Sequence, residues 1–257
     1  MTVPGGPRLI IGVLTTASVI GLWFFSSAQG LFPPWAFPAP HELWVAARRI
    51  LFVGYGGGLL YEHILQSVRL ILLGFLFATS IGVPLGLLMG WNRKAEALIN
   101  PVFEIIRPIP AIAWIPLAIV WLGLDDASKI MILWFAAFVP AVINSYTGVR
   151  SIDRSLIEAS QMLGVRGFAL LKGVIIPGAL PMIFTGLRLS LQGCLTAIVA
   201  AELLGAYLGV GKVLYQGGLD IYPAMILVGM IVVGLVGFTL TLVLDVCERL
   251  VTPWQRQ

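Results

Sequence analysis

Charged residues are so sparse along this chain that the uncharged runs between them delimit its elements. Residues 9–28 carry no charge, and neither do residues 70–92, bounded by Arg69 and Arg93. A shorter uncharged run, 108–124, contains Pro108, Pro110 and Pro116. Two more cover 130–149 and 221–244, and residues 182–204 are apolar apart from Arg188, Gln192 and Glu202. A helix needs roughly 20 mostly apolar residues to cross a bilayer. The pattern therefore predicts an all-α polytopic membrane protein with six spans. Ser26 and Ala28 resemble a signal-peptide cleavage site, but the first apolar run is longer than a usual signal core and only Arg8 precedes it, so it reads as a retained helix.

The connections differ in character. Residues 29–63 are proline-rich at Pro33, Pro34, Pro38 and Pro40, and an amphipathic stretch within 37–63 begins at His41 and runs to Phe52. Pro40 suits a helix start there, so a short interfacial helix is expected. Small residues recur every four positions at Gly74, Ala78, Gly82, Gly86 and Gly90, and again at Gly193, Ala197, Ala201 and Gly205. Stripes of this kind let helix backbones approach closely in lipid.

Composition sharpens the picture. Hydrophobic residues make up 59% of the 257 residues and charged residues 11%, with a mean hydropathy of +0.97. Soluble domains carry about 25% charged residues. A soluble enzyme, a disordered chain and a nucleic-acid binder are thereby excluded. The net charge of +4 then reports topology, because cytoplasmic loops of membrane proteins accumulate Lys and Arg. With the N-terminus inside, Arg8, Arg93, Lys94, Arg150, Arg154, Arg166, Lys172, Arg249 and Arg256 are cytoplasmic, whereas only Arg48, Arg49, Lys129 and Lys212 are external. Both termini are expected in the cytoplasm.

Candidate chemistry is scarce. Cys194 and Cys247 read as small buried hydrophobes, and His41 and His63 as ordinary interfacial histidines, so neither a disulfide nor a metal site is expected. Gly211-Lys212 is not a phosphate loop, because Ala206 and Val213 stand where that motif needs Gly and Ser or Thr. Charges within spans are functional candidates. Here they are Arg107, Arg188 and Glu202, each with a plainer alternative: an ion pair of Arg107 with Glu104, snorkelling of Arg188 to inner headgroups, and an interfacial position for Glu202. For an anionic solute, Arg107 is the best-placed cation.

The inner loop, residues 150–181, is the most informative segment. Ser155 and Glu158 have the spacing of a capping box, with a helix from Leu156 to Leu163 and Gly164 as its stop. A second short helix is expected over Arg166–Lys172 with Phe168 and Leu171 on one face, and Pro181 is expected to start the fifth span. Glu158-Ala159-Ser160, then Gly164 and, nine residues on, Val174-Ile175-Ile176-Pro177 resembles the Glu-Ala-Ala signature of bacterial ABC importer permeases, departing from it mildly at Ser160, Val174 and Ile176. Arg107-Pro108-Ile109-Pro110, Phe37-Pro38-Ala39-Pro40, Gly148 to Asp153 and Thr185 to Arg188 extend the resemblance over roughly residues 37–245, toward the nitrate, sulfonate, taurine and bicarbonate branch.

That resemblance implies a type I importer permease fold spanning residues 1–257 as one domain in the bacterial cytoplasmic membrane. It implies two copies forming a pathway, two ATPase subunits beneath them carrying ATP and Mg, and an external solute-binding protein. No cofactor of its own, no catalysis and no nucleic-acid partner are expected. Coupling to the ATPase falls, by the resemblance, on Glu158, Ala159, Gly164, Val165, Arg166, Gly167, Phe168, Leu171, Lys172 and Pro177. The alternative is a transporter or channel that works without ATP, which leaves the 155–177 elbow without a role. The transported solute is expected to be small and anionic.

Overall fold

The computed structural model describes residues 5–30, 33, 37–203 and 205–253. Pro34 and Arg256 lie outside the described residues, as does the side chain of Arg8. All regular structure among the described residues is helical. The helices are α1 (Gly5–Ala28), α2 (Pro40–Phe52), α3 (Leu60–Trp91), α4 (Arg93–Ile106), α5 (Ile115–Leu122), α6 (Asp126–Arg150), α7 (Arg154–Met162), α8 (Phe168–Leu170), α9 (Ile176–Leu203), α10 (Val210–Leu219) and α11 (Pro223–Val251).

Among the described residues, five segments are long and apolar enough to cross a membrane: Ile10–Ser27, Leu60–Trp91, Asp126–Arg150, Phe168–Leu203 and Pro223–Val251. The third predicted span is different. Residues 93–122 form two arms bent by 82°, α4 on one side and a 3-10 turn (Ala111–Trp114) leading into α5 on the other. Pro108 and Pro110 explain the break. Each lacks an N–H, and although Arg107 before Pro108 is still helical, Pro110 is extended at ψ 140°.

Other boundaries shift for local reasons. Helix α3 begins at Leu60, where the Glu62 carboxylate accepts from the Leu59 N–H at 2.7 Å, so Arg69 sits well inside it. Pro181 lies within α9 and does not start it. The chain passes Pro177 through a π-helical turn, Leu171–Ile175, with the Ile176 N–H donating to Leu171 O. A wider turn relieves the clash between a proline ring and the carbonyl four residues back. The Gly211-Lys212 segment is part of helix α10.

The core is α6 held between α3 and α9. A Cβ on Gly86 of α3 would collide with the Val142 carbonyl of α6 and stand 2.8 Å from Ser145 Cβ. Both small-residue stripes thus face neighbouring helices as expected, Gly193 packing on the Ala136 carbonyl. Pro140 has no N–H to offer that carbonyl four residues back. Across the same seam Ser190 Oγ donates to Ala137 O at 2.6 Å. Cys194 is buried there, whereas Cys247 is exposed in this chain, contrary to expectation. Helix α2 forms as predicted, with Pro40 in its first turn and Ala46 and Ile50 buried against α10 and α11.

Candidate functional site

The elbow over residues 150–181 begins where α6 ends. Arg150 pairs with Glu96 of α4, whose Oε1 also accepts from the Tyr146 hydroxyl at 2.5 Å, so α4 is tied to the end of α6. The N-cap of α7 is Asp153, which accepts from the Ser155 N–H at 3.0 Å. Ser155 is therefore inside the helix, and Glu158 is no cap. It lies 3.6 Å from Arg154 one turn earlier, and both are exposed. An aspartate two residues before Ser155 competes for the same N–H groups and wins the role.

Gly164 ends α7 as expected. It is left-handed at φ +84°, its N–H donates to Gln161 O, and Val165 N–H reaches back to Ser160 O at 3.0 Å. Those two bonds form a Schellman stop. Gly167 is left-handed as well, at φ +58°, and turns the chain into α8. The expected second helix is thus shorter than Arg166–Lys172 and runs on through the π turn into α9. Phe168 and Leu171 do not share a face. Leu171 packs with Val165, Leu170 and Val174 against Val149, Ile175 and Ala179, while Phe168 is 72% exposed.

Beside Phe168 in exposure stand Met162 (87%) and Leu163 (84%). Ala159, Arg166, Gly167 and Lys172 are exposed too, and Pro177 is half-buried. The elbow thus presents apolar side chains and basic residues on a tip anchored by its own small core. The motif at Glu158–Pro177 does not single out Met162 and Leu163. Their signal in the sequence is two large apolar residues just before a helix-ending glycine, off the face that Ile157 buries.

The three intramembrane charges do not converge. Arg107 makes the local pair anticipated for it, 2.9 Å from Glu104, and lines an open groove of about 410 Å³. That groove lies between the break after α4 and the middles of α6 and α9, against Phe135, Val139, Gly193 and Thr196. Arg188 reaches across to α11. Its Nε donates to Asp245 of α11 at 2.8 Å, and its terminal nitrogen pairs with Glu248. A second groove, about 710 Å³, runs over Arg188, Gln192, Thr196 and Thr241 between α9 and α11.

Glu202 is buried among the helices, 1% exposed. It accepts from Ser67 Oγ at 2.6 Å and from the Gly211 N–H at 2.7 Å. Ser67 Oγ in turn accepts from Val210 N–H, and His63 Nδ1 from Gly209 N–H at 3.0 Å. The other His63 nitrogen lies 2.9 Å from Tyr55 O, which fits a neutral ring donating through Nε2. His63 is fully buried. Three successive N–H groups leading into α10 are thus held by side chains from α3 and α9. Among the described residues no group of three or more His, Cys, Asp or Glu could hold a metal ion.

Known proteins resemble this chain in sequence and in fold. Residues 82–257 match the family model described as binding-protein-dependent transport system inner membrane component. A probable ABC transporter permease protein of Brucella abortus (strain 2308) is 35% identical over 247 residues, covering 96% of each chain. The taurine transport system permease protein of Escherichia coli (strain K12) is 31% identical over 255 residues, 98% of this chain and 92% of that one. Among solved structures, an inward-facing form of the MetNI methionine ABC transporter has a chain of the same fold. Its TM-score is 0.62 at 23% identity, over 75% of this chain and 96% of that chain.

Proposed function

The chain belongs to the family of binding-protein-dependent transport system inner membrane components, as an ABC importer permease subunit, and from that premise we propose how it works. It sits in the bacterial cytoplasmic membrane with both termini inside, as one domain. Two copies form the pathway, an external binding protein delivers a small anion, and separate ATPase subunits supply the energy. The taurine permease among its relatives favours an organic acid as cargo.

The observation that carries this reading is the elbow's anchored, apolar tip. Met162, Leu163 and Phe168 are exposed on a turn that Val165, Leu170 and Ile175 hold firmly to α6 and α9. An exposed apolar cluster rimmed by charge marks a protein contact, and a groove on the ATPase is its proposed seat. Because helical structure continues from Phe168 to Leu203, a push on the tip moves the whole of α9 as a rigid body. ATP acts only through its preference for one of the two arrangements.

Affinity purification of the permease tests the seat. The intact chain is expected to bring its ATPase with it, and deletion of residues 165–172 to release it. Retention of the ATPase by the deleted chain rules the seat out. The runner-up, transport without ATP, has no specific observation in its favour.

A further inference from the structure

We propose that the groove beside Arg107 is a resting site for a small organic anion, a sulfonate or carboxylate with a compact apolar body. The inference rests on the permease reading and deepens it by naming a site and a substrate class.

The groove lies at membrane depth. Its walls are Phe135, Ala136 and Val139 near the middle of α6 and Gly193 and Thr196 in the second half of α9. Its mouth is the broken segment at Arg107–Ala111, which interrupts a would-be span. Non-helical backbone at membrane depth persists only where protein buries it or where it lines a cavity.

A polar stripe leads to it. Arg188, Gln192 and Thr196 follow one another at i, i+4 and i+8 along α9, and Gln192 and Thr196 are exposed. Thr196 belongs to both grooves, so this stripe joins the Arg107 groove to the one along α11. A polar stripe on a spanning helix faces a water-filled route in preference to lipid.

Charge and size select the ligand. The lining holds one cation, Arg107, and no carboxylate. Glu104 engages only one of the guanidinium nitrogens, and both partners are nearly half exposed. Such exposed pairs are weak, so an incoming acid can compete. The rest of the lining is apolar apart from Thr196. A volume of about 410 Å³ falls in the range of organic-ligand pockets. An acid group on Arg107 with an apolar body on Phe135 and Val139 uses both parts of the site.

The test uses the assembled transporter, permease with its ATPase, in lipid nanodiscs without the external binding protein. Thermal stabilisation is read with three probes: benzenesulfonate, benzylammonium and nitrate. Benzenesulfonate is expected to stabilise saturably, and the other two at least about tenfold more weakly. Arg107→Gln should weaken the benzenesulfonate effect about tenfold or more, the scale of a lost charged hydrogen bond. Ile112→Trp should weaken it by filling the groove, while Glu104→Gln should maintain or strengthen it. Equal stabilisation by benzylammonium overturns the proposal, as does an unchanged Arg107→Gln. A loss in Glu104→Gln equal to that in Arg107→Gln means the pair is structural and also overturns it. Disulfide formation between Ile112→Cys copies that benzenesulfonate does not slow shows that a second copy fills the groove, which overturns it too. Retention of the ATPase is scored in the same preparations. Its loss from the unmodified chain refutes the permease reading, whereas an intact complex without a sulfonate effect refutes only this site.

Discussion

Ser67 of α3 and Glu202 of α9, 135 positions apart in sequence, share a 2.6 Å hydrogen bond at a point where both are at most 3% exposed. The bond does more than join two helices. Ser67 also accepts from Val210, Glu202 accepts from Gly211, and His63 accepts from Gly209. The N–H groups entering α10, which a helix cannot satisfy itself, are thus met by side chains from outside.

Removing one member leaves buried polar groups unpaired, at a cost of about 1–3 kcal/mol each. Ser67→Ala strands both the Val210 N–H and one Glu202 oxygen. A melting temperature several degrees lower is expected for the purified transporter, with Ser67→Thr milder. A melting temperature unchanged in Ser67→Ala contradicts the clamp.

The seam between α3 and α6 makes a second prediction. A Cβ at Gly86 meets the Val142 carbonyl and stands 3.0 Å from the Tyr146 nitrogen, with no flexible chain end to yield. Gly86→Val should cost about 1–3 kcal/mol by overpacking and lower the yield of folded protein. Gly218 of α10, where an added Cβ would meet nothing within 4 Å, is the control, and Gly218→Ala should stay within about 0.5 kcal/mol. Equal behaviour of the two variants in thermal melts refutes the close-packing account.

Arg188 provides the third. It bridges Asp245 and Glu248, two carboxylates one turn apart on α11. Arg188→Gln leaves those two like charges facing each other. Destabilisation is expected, with partial recovery in the triple variant Arg188→Gln, Asp245→Asn, Glu248→Gln. The coupling should be about 0.5–3 kcal/mol, as for residues in one network. Strict additivity in a mutant cycle of melting curves argues against the bridge.

These long-range pairings explain what the sequence could and could not disclose. Uncharged runs mark four of the five spans, and the fifth is apolar apart from Arg188, Gln192 and Glu202, because a lipid-facing helix must be apolar along its length. Gly164 is legible because a left-handed helix stop is a local demand. Pro108 and Pro110 announce a break, but the 82° turn of the chain beyond it depends on what α5 packs against. The partners of Arg188 and Glu202 lie 57 and 135 positions away, beyond any local pattern. At Ser155 the competing cap, Asp153, is simply two residues earlier. The spacing of Arg188, Gln192 and Thr196 is itself readable as a helical stripe.

The corner that joins Tyr55 to Asp220 should respond to pH at both extremes. The Tyr55 hydroxyl donates to Asp220 at 2.5 Å. Burial, reinforced by the bond to Asp220, raises the Tyr55 pKa above its ordinary value. The same bond, with one from Gln216, lowers that of Asp220. A raised folded-state pKa gives Tyr55 a contribution that is complete below its unfolded value, about 10, and lost as pH rises beyond it. The lowered Asp220 pKa gives a contribution present above the unfolded carboxylate value and lost as pH falls through the folded one. Melting temperature against pH should therefore fall off at both ends, and Tyr55→Phe should flatten both. Identical profiles for Tyr55→Phe and the unmodified protein contradict this contact.

Solute uptake into proteoliposomes tests the central claim most directly. The permease is reconstituted with its ATPase and binding protein, and separately by itself. Uptake is expected only in the full assembly with hydrolysable ATP, and Phe168→Asp at the elbow should abolish it while the permease stays folded. Uptake by the permease alone, driven by an ion gradient without ATP, contradicts the account.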